Sequence, residues 1–201
     1  MQEQFHLTVL AVARFAGALL AAALCIAHAE PAAAQNIGQD IEVQVEISGD
    51  LVRIDTSFHV EATPQEAWAV MIDYDGAAVF ISDLEASRVL SREGDAMRVY
   101  QNGKAKFGPF SFPVESVRDI RLTPFEGMQS TLVSGSMKQL DVTTRLAREG
   151  SGTRINNRTE SIPDVWIPPI VGRLFIEHES RDKFRELREE ILRRKQAAAG
   201  R

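Results

Sequence analysis

Acidic side chains crowd the stretch DYDGAAVFISDLEASRVL, residues 73–90, which holds Asp73, Asp75, Asp83 and Glu85 beside bulky apolar residues. Such a run suits a calcium loop, a pair of catalytic carboxylates, or a bend between helix and strand. A calcium loop of the EF-hand kind needs glycine at its sixth place and glutamate at its twelfth. Counted from Asp73, Gly76 is fourth and the twelfth residue is Leu84; with Gly76 sixth, Met71 takes the first place, where an acid is required. Both registers fail. Paired acids for glycoside chemistry need a second matching carboxylate, and nothing in the sequence marks one. Asp73 and Asp75 are therefore expected to end one helix and cap the next.

The other reactive side chains are sparse. Beyond residue 34 the histidines are His59 and His178, and no H-E-x-x-H or C-x-x-C pattern occurs, so no metal site and no cofactor are expected. G-x-S-x-G, G-x-G-x-x-G and Walker patterns are also missing. Ser180-x-x-Lys183 matches S-x-x-K without its companion motifs and lies in a charged helical stretch; it reads as chance. His178 and Tyr100 are the candidates for acid–base work. Glu177 and Arg181 share a helical sector with Ile170, Leu174, Phe184 and Ile191, with His178 at its border. They form either a surface i,i+4 pair or the polar contact for a ligand. Two loops, FGPFSFP at 107–113 and WIPP at 166–169, are rich in bulky residues. They plug the core, rim a pocket mouth, or touch a membrane surface transiently.

The elements that must position these residues are legible in the periodicity. Residues 15–27 form an uncharged apolar run after Arg14, followed by A-x-A signals ending at Ala29 and Ala34. The run is short for a bilayer span and fits a secretory signal peptide, with an uncleaved anchor as the alternative. Residues 35–40 read as a linker and residues 41–196 as one domain, with a tail at 197–201. Cys25, the one cysteine, leaves with the signal, so the remaining chain tolerates an oxidising compartment. The net charge of −5 argues against a nucleic-acid binder.

Strict alternation at Ile41, Val43, Val45 and Ile47, then at Val52, Ile54, Phe58 and Val60, predicts a hairpin. Thr63-Pro64-Gln65-Glu66 is a capping box with proline at the first helical position. A second helical piece is expected at 77–82. Strands follow near 85–91, 96–106, 110–122, 127–135, 139–148 and 153–162, and Pro113 marks an edge or bulge. A long helix at about 170–195 closes the chain. Helices segregated to one side of an antiparallel sheet make an α+β domain, and a long helix across a curved sheet leaves room for a pocket.

The stretch VEATPQEAWAVMIDYDGAAVFISDLEASRVL, residues 60–90, with the closing FIEHESRDKFRELREEILRR at 175–194, resembles the START-like (SRPBCC) helix-grip superfamily. That superfamily includes polyketide cyclases and dehydratases, lipid-transfer proteins and coenzyme Q-binding START-like proteins. The resemblance runs from about residue 52 to residue 195 and is specific for fold rather than chemistry. The additional strand at 41–47 and the signal peptide depart from it and suggest an exported, periplasmic branch. The resemblance implies a hydrophobic small molecule (a lipid, quinone or polyketide-like compound) held between sheet and final helix. Phe110, Phe112, Met128, Leu132, Val142 and Ile155 would form the wall. Trp166 and Phe175 would lie near the mouth, and His178 and Arg181 would meet a polar head. A cyclase or dehydratase using the same space, and an interaction module with a filled interior, are the alternatives; the lack of a polar triad favours binding over catalysis.

Overall fold

The computed structural model describes residues 41–107, 110–164 and 169–200, with backbone alone at 106, 107, 110 and 169–171. The expected signal peptide, linker, Trp166 and the side chain of Phe110 lie outside the described residues. The element order is β1 (Glu42–Ser48), β2 (Leu51–Val60), α1 (Pro64–Met71), α2 (Ala77–Phe80), β3 (Leu84–Glu93), β4 (Ala96–Phe107), β5 (Phe110–Thr123), β6 (Gly127–Gly135), β7 (Met137–Glu149), β8 (Gly152–Pro163) and α3 (Pro169–Ala199). Every strand pairs antiparallel in one curved sheet of order β1-β2-β8-β7-β6-β5-β4-β3. This is the α+β helix-grip arrangement, with α3 lying on the concave face.

Alternation fixes that face. Along β2, Val52, Thr56, Phe58 and Val60 are buried, and along β5, Ser116, Ile120 and Leu122 are buried. Phe58 pairs with Ile155 of β8, which pairs with Leu146 of β7. These join Met97, Val99, Met128, Trp68, Val70 and Ile191 in the main core. The C-terminal half of α3 seals it: Ile191 is fully buried, and the Phe184 ring stands 5.6 Å from Phe58 at 46°. An aromatic pair of this kind adds about 0.5–1.5 kcal/mol beyond burial.

Sequence signals set the helix boundaries. The Thr63 side chain accepts from the Glu66 N–H at 3.2 Å, and the Thr63 N–H donates to the Glu66 carboxylate at 2.7 Å. Pro113 falls where β5 pairs with β4 but not with β6, whose pairing begins at Ser116. Its missing N–H therefore breaks no ladder bond on that side. The α2 helix is shorter than expected, ending at Phe80.

The acidic run of residues 73–90 splits into separate duties. Asp73 accepts from the Gly76 N–H at 3.1 Å and pairs with Arg194 of α3 at 2.8 Å. Asp75 caps no helix, since Gly76 is the N-cap of α2 and makes no side-chain cap bond. It accepts instead from the Val89 N–H of β3 at 2.8 Å. Glu85 pairs with Lys104. Asp83 is half-buried and hydrogen-bonds Glu179 of α3.

Candidate functional site

The concave face has a closed end and an open end. Near the closed end Met128 and Ile155 are packed into the core. Toward the open end the same face carries Phe112, which keeps 48% of its surface exposed, and the half-buried Leu132 and Val142. Strand register places these side chains on one face: Val142 opposes Ser130 and Leu132 opposes Arg118. The described wall residues expected from sequence are therefore brought together, while Phe110 and Trp166 fall outside the described side chains. The α3 helix packs most closely on β1 and α1, at one edge of the sheet, so the concave face of the central strands retains solvent access.

Between the two ends a polar band crosses the sheet diagonally. It begins at Thr56 and passes through Asn157 and Thr144, joined by a 2.8 Å bond from the Asn157 amide to the Thr144 hydroxyl. It continues through Ser130, Arg118 and Gln101 to Ser87. The Arg118 guanidinium donates to Ser130 Oγ at 3.4 Å and to Gln101 Oε1, and Gln101 donates onward to Ser87 Oγ at 3.0 Å. The third nitrogen of Arg118, Nε, is buried with no partner.

Two further groups converge on Arg118. Tyr74, from the α1–α2 connection, reaches in and places its hydroxyl 3.4 Å from Met128 Sδ. Burial raises its phenol above the ordinary range. Lys183, from α3, keeps solvent-accessible surface and lies on the helix face that carries Leu187 and Ile191. Burial and then the like charge of Arg118 push its amine down, while Asp83 and Glu186 oppose the shift. Glu186 accepts from the Ser82 N–H at 3.0 Å. Asp83 hydrogen-bonds Glu179, whose carboxyl is raised to about 7 by burial first and then by Asp83.

The polar contacts expected on α3 take different partners. Glu177 pairs with Arg173 at 3.1 Å rather than with Arg181, because the preceding turn places a guanidinium within reach at i−4. Arg181 and Phe175 are half-buried. His178 is 69% exposed and pairs with Asp182 at 3.3 Å. Tyr100 opposes Arg88 and alternates with the inward Val99 and Gln101, so it lies on the convex face. His59 is also convex, with Nε2 3.2 Å from the Glu149 carbonyl. Among the described residues no three His, Cys, Asp or Glu side chains converge as a metal site. A depression of about 570 Å³ on the convex side, lined by Asp55, Arg145 and Arg158 among others, is wholly polar in its side chains and lies away from the helix.

Sequence reasoning missed Tyr74, Arg118 and Lys183. The signals were present. Alternation from Leu122 through Ile120 places Arg118 inward, and Lys183 lies four and eight residues before the core-facing Leu187 and Ile191. A guanidinium at an inward position is easily taken for an interruption of the pattern.

A curved sheet gripping a helix, with a partly uncovered apolar face and a polar band across it, defines a helix-grip domain of the START-like class. The sequence matches the family described as "Polyketide cyclase / dehydrase and lipid transport" over residues 60–184, and the chain belongs to that family. The β1–β2 hairpin precedes the matched residues up to its last residue, Val60. Solved structures with the same fold include a STAR-related lipid transfer protein from Xanthomonas axonopodis, 14% identical, covering 76% of this chain and 94% of that one at a TM-score of 0.62. Human StAR-related lipid transfer protein 5 is 10% identical, covering 78% and 84% at a TM-score of 0.64. The Zhui aromatase/cyclase from a Streptomyces species is 16% identical, covering 74% and 98% at a TM-score of 0.59. No curated protein matches the chain in sequence.

Proposed function

We propose that the protein is an exported binding protein that holds a hydrophobic small molecule between α3 and the concave face of the sheet. The observation that carries this reading is the uncovered apolar wall: Phe112 is 48% exposed on a face whose other end forms the buried core. Solvent-accessible apolar surface facing a helix gains roughly 25 cal/mol per Å² when a ligand covers it, before association costs. The polar band gives such a ligand a place for one polar end. Family membership supports hydrophobic ligand binding or cyclase and dehydrase chemistry, and the apolar run with its A-x-A signals supports export to a periplasm.

The test is native mass spectrometry of the protein purified from its exported fraction, followed by organic extraction. A stoichiometric apolar adduct is expected, and N-terminal sequencing is expected to begin at Glu30 or Gln35. A clean apo mass, together with failure to take up any lipid, quinone or fatty-acid probe, refutes the binding reading. A chain that keeps its first residues after export refutes cleavage.

A second reading, a cyclase or dehydratase, draws on Tyr74. Its phenol lies on the same concave face as the Arg118 guanidinium and the Lys183 amine, which supplies a proton donor beside two cations. Loss of turnover of a confirmed substrate in Tyr74→Phe, with binding retained, would separate this from a carrier.

A further inference from the structure

The inner face carries two cations where an apolar ligand alone would need none. Arg118 is charged at any accessible pH, and burying an uncompensated charge is costly. Its neighbours are neutral: Gln101, Ser130 and the Tyr74 phenol. Among the described residues no carboxylate forms a salt bridge with it, and its Nε donor is buried and unused. Lys183, one turn before the core-packed Leu187 and two before the buried Ile191, adds a second cation on the face of α3 turned to the sheet, and it keeps solvent-accessible surface. Asp83 and Glu186 act on Lys183 from the α2–β3 connection and α3, while Glu186 also accepts from the Ser82 N–H and Asp83 also hydrogen-bonds Glu179.

We infer that Arg118 and Lys183, reaching from the sheet and from α3, form an anion-recognition subsite, and that the ligand is an amphiphile carrying a carboxylate or phosphate at one end. This rests on the binding function proposed above and names its ligand class. The anion would bridge the two walls, accept from the orphaned Nε of Arg118, and lie within the polar band. The apolar tail would run toward Phe112, Leu132 and Val142. The bound anion would supply Arg118 with the counter-ion that its neutral neighbours do not, and would add to the carboxylates that already act on Lys183. Charge-assisted hydrogen bonds of this kind are roughly twice as strong as neutral ones.

The experiment compares dodecanoate and dodecyl phosphate, each below its micellar concentration, with dodecan-1-ol below its solubility limit, by isothermal titration against the exported protein stripped of bound lipid. Wild type is expected to prefer at least one anionic probe over the alcohol by about tenfold or more, with the preference shrinking as salt rises. The carboxylate and phosphate arms tell the two headgroups apart. Arg118→Met and Lys183→Met should each bring the ratio of anion to alcohol affinity toward one. Lys183 is not part of the packed core, so its variant carries the test should the Arg118 variant fail to fold. Equal binding of all three probes by wild type overturns the anion subsite and leaves the binding function standing. No binding of any probe overturns both. An anion preference that survives Lys183→Met and Arg118→Met overturns the assignment to these residues.

Discussion

Gly103 is where the α2–β3 connection meets β4, and replacing it by alanine tests how the site is framed. A Cβ there would lie 2.0 Å from the Asp83 carbonyl oxygen and 3.1 Å from Leu84 Cα. Both neighbours are backbone, so no side-chain rotation relieves the clash. Real Cβ contacts stay beyond 3.0 Å, so the connection must back away by about 1 Å. That movement weakens the 2.9 Å bond from the Lys104 N–H to the same oxygen. Overpacking typically costs about 1–3 kcal/mol and a backbone hydrogen bond about 1 kcal/mol, giving about 2–4 kcal/mol in all. For a domain of this size each kcal/mol lowers the melting temperature by about 2–4 °C, so Gly103→Ala should melt about 4–16 °C below wild type. Circular dichroism melts, with urea titration alongside, read the change directly. A shift under about 1 °C would refute the close approach of Asp83 to β4.

The pH dependence should have two arms of opposite sign. Glu190 is held near 2 by hydrogen bonds from Arg193 and Arg194, below its ordinary 4.5, so its contribution is present above pH 4.5 and lost as pH falls toward 2; Glu190→Gln is expected to flatten that acid limb in chemical denaturation. Glu179 is raised to about 7 by burial and Asp83, with Asp182 reinforcing and His178 opposing. Its contribution is therefore complete below pH 4.5 and disappears as pH rises through 7. Glu179→Gln, which keeps the neutral form, should remove that slope; a slope unchanged in the variant would show that the carboxyl pair does not share a proton. Thr63→Ala removes the capping box of α1 and should cost about 1 kcal/mol, measured as a lower urea midpoint with an unchanged m-value.

Much of the architecture was legible because burial on one face writes itself as alternation. The strand from Ile41 to Ile47, the Thr63 capping box and the closing helix all follow from local chemistry, whereas the shared face of Met128, Leu132, Val142 and Ile155 follows from the strand register and was suggested only by the family resemblance. The chemistry of that face was harder to read. Arg118 and Lys183 are charged residues at inward positions, and a rule that charges face water assigns them outward. Glu177 was paired by spacing alone with Arg181, although Arg173 offered the same i,i+4 geometry on the preceding turn. His178 drew attention for its residue type, yet type says nothing about direction, and its ring faces solvent beside Asp182.

The strand ladders do not run to equal length. Pairing of β6 with β7 stops at Thr131 and Asp141, and pairing of β5 with β6 stops at Ser116 and Gly135. Below that line β4 and β5 continue as a two-stranded ribbon in which Lys104–Phe107 pair with Phe110–Pro113, and β6 skips Val133 in its register. A two-stranded ribbon has no third strand to share its opening cost, so its amides should exchange with solvent through small local fluctuations while those of β2, β7 and β8 wait for global unfolding. The protein thus has a thermodynamic seam across its sheet. Passage of a guest through the ribbon side would draw on the cheapest motions available and leave the helix and the core untouched.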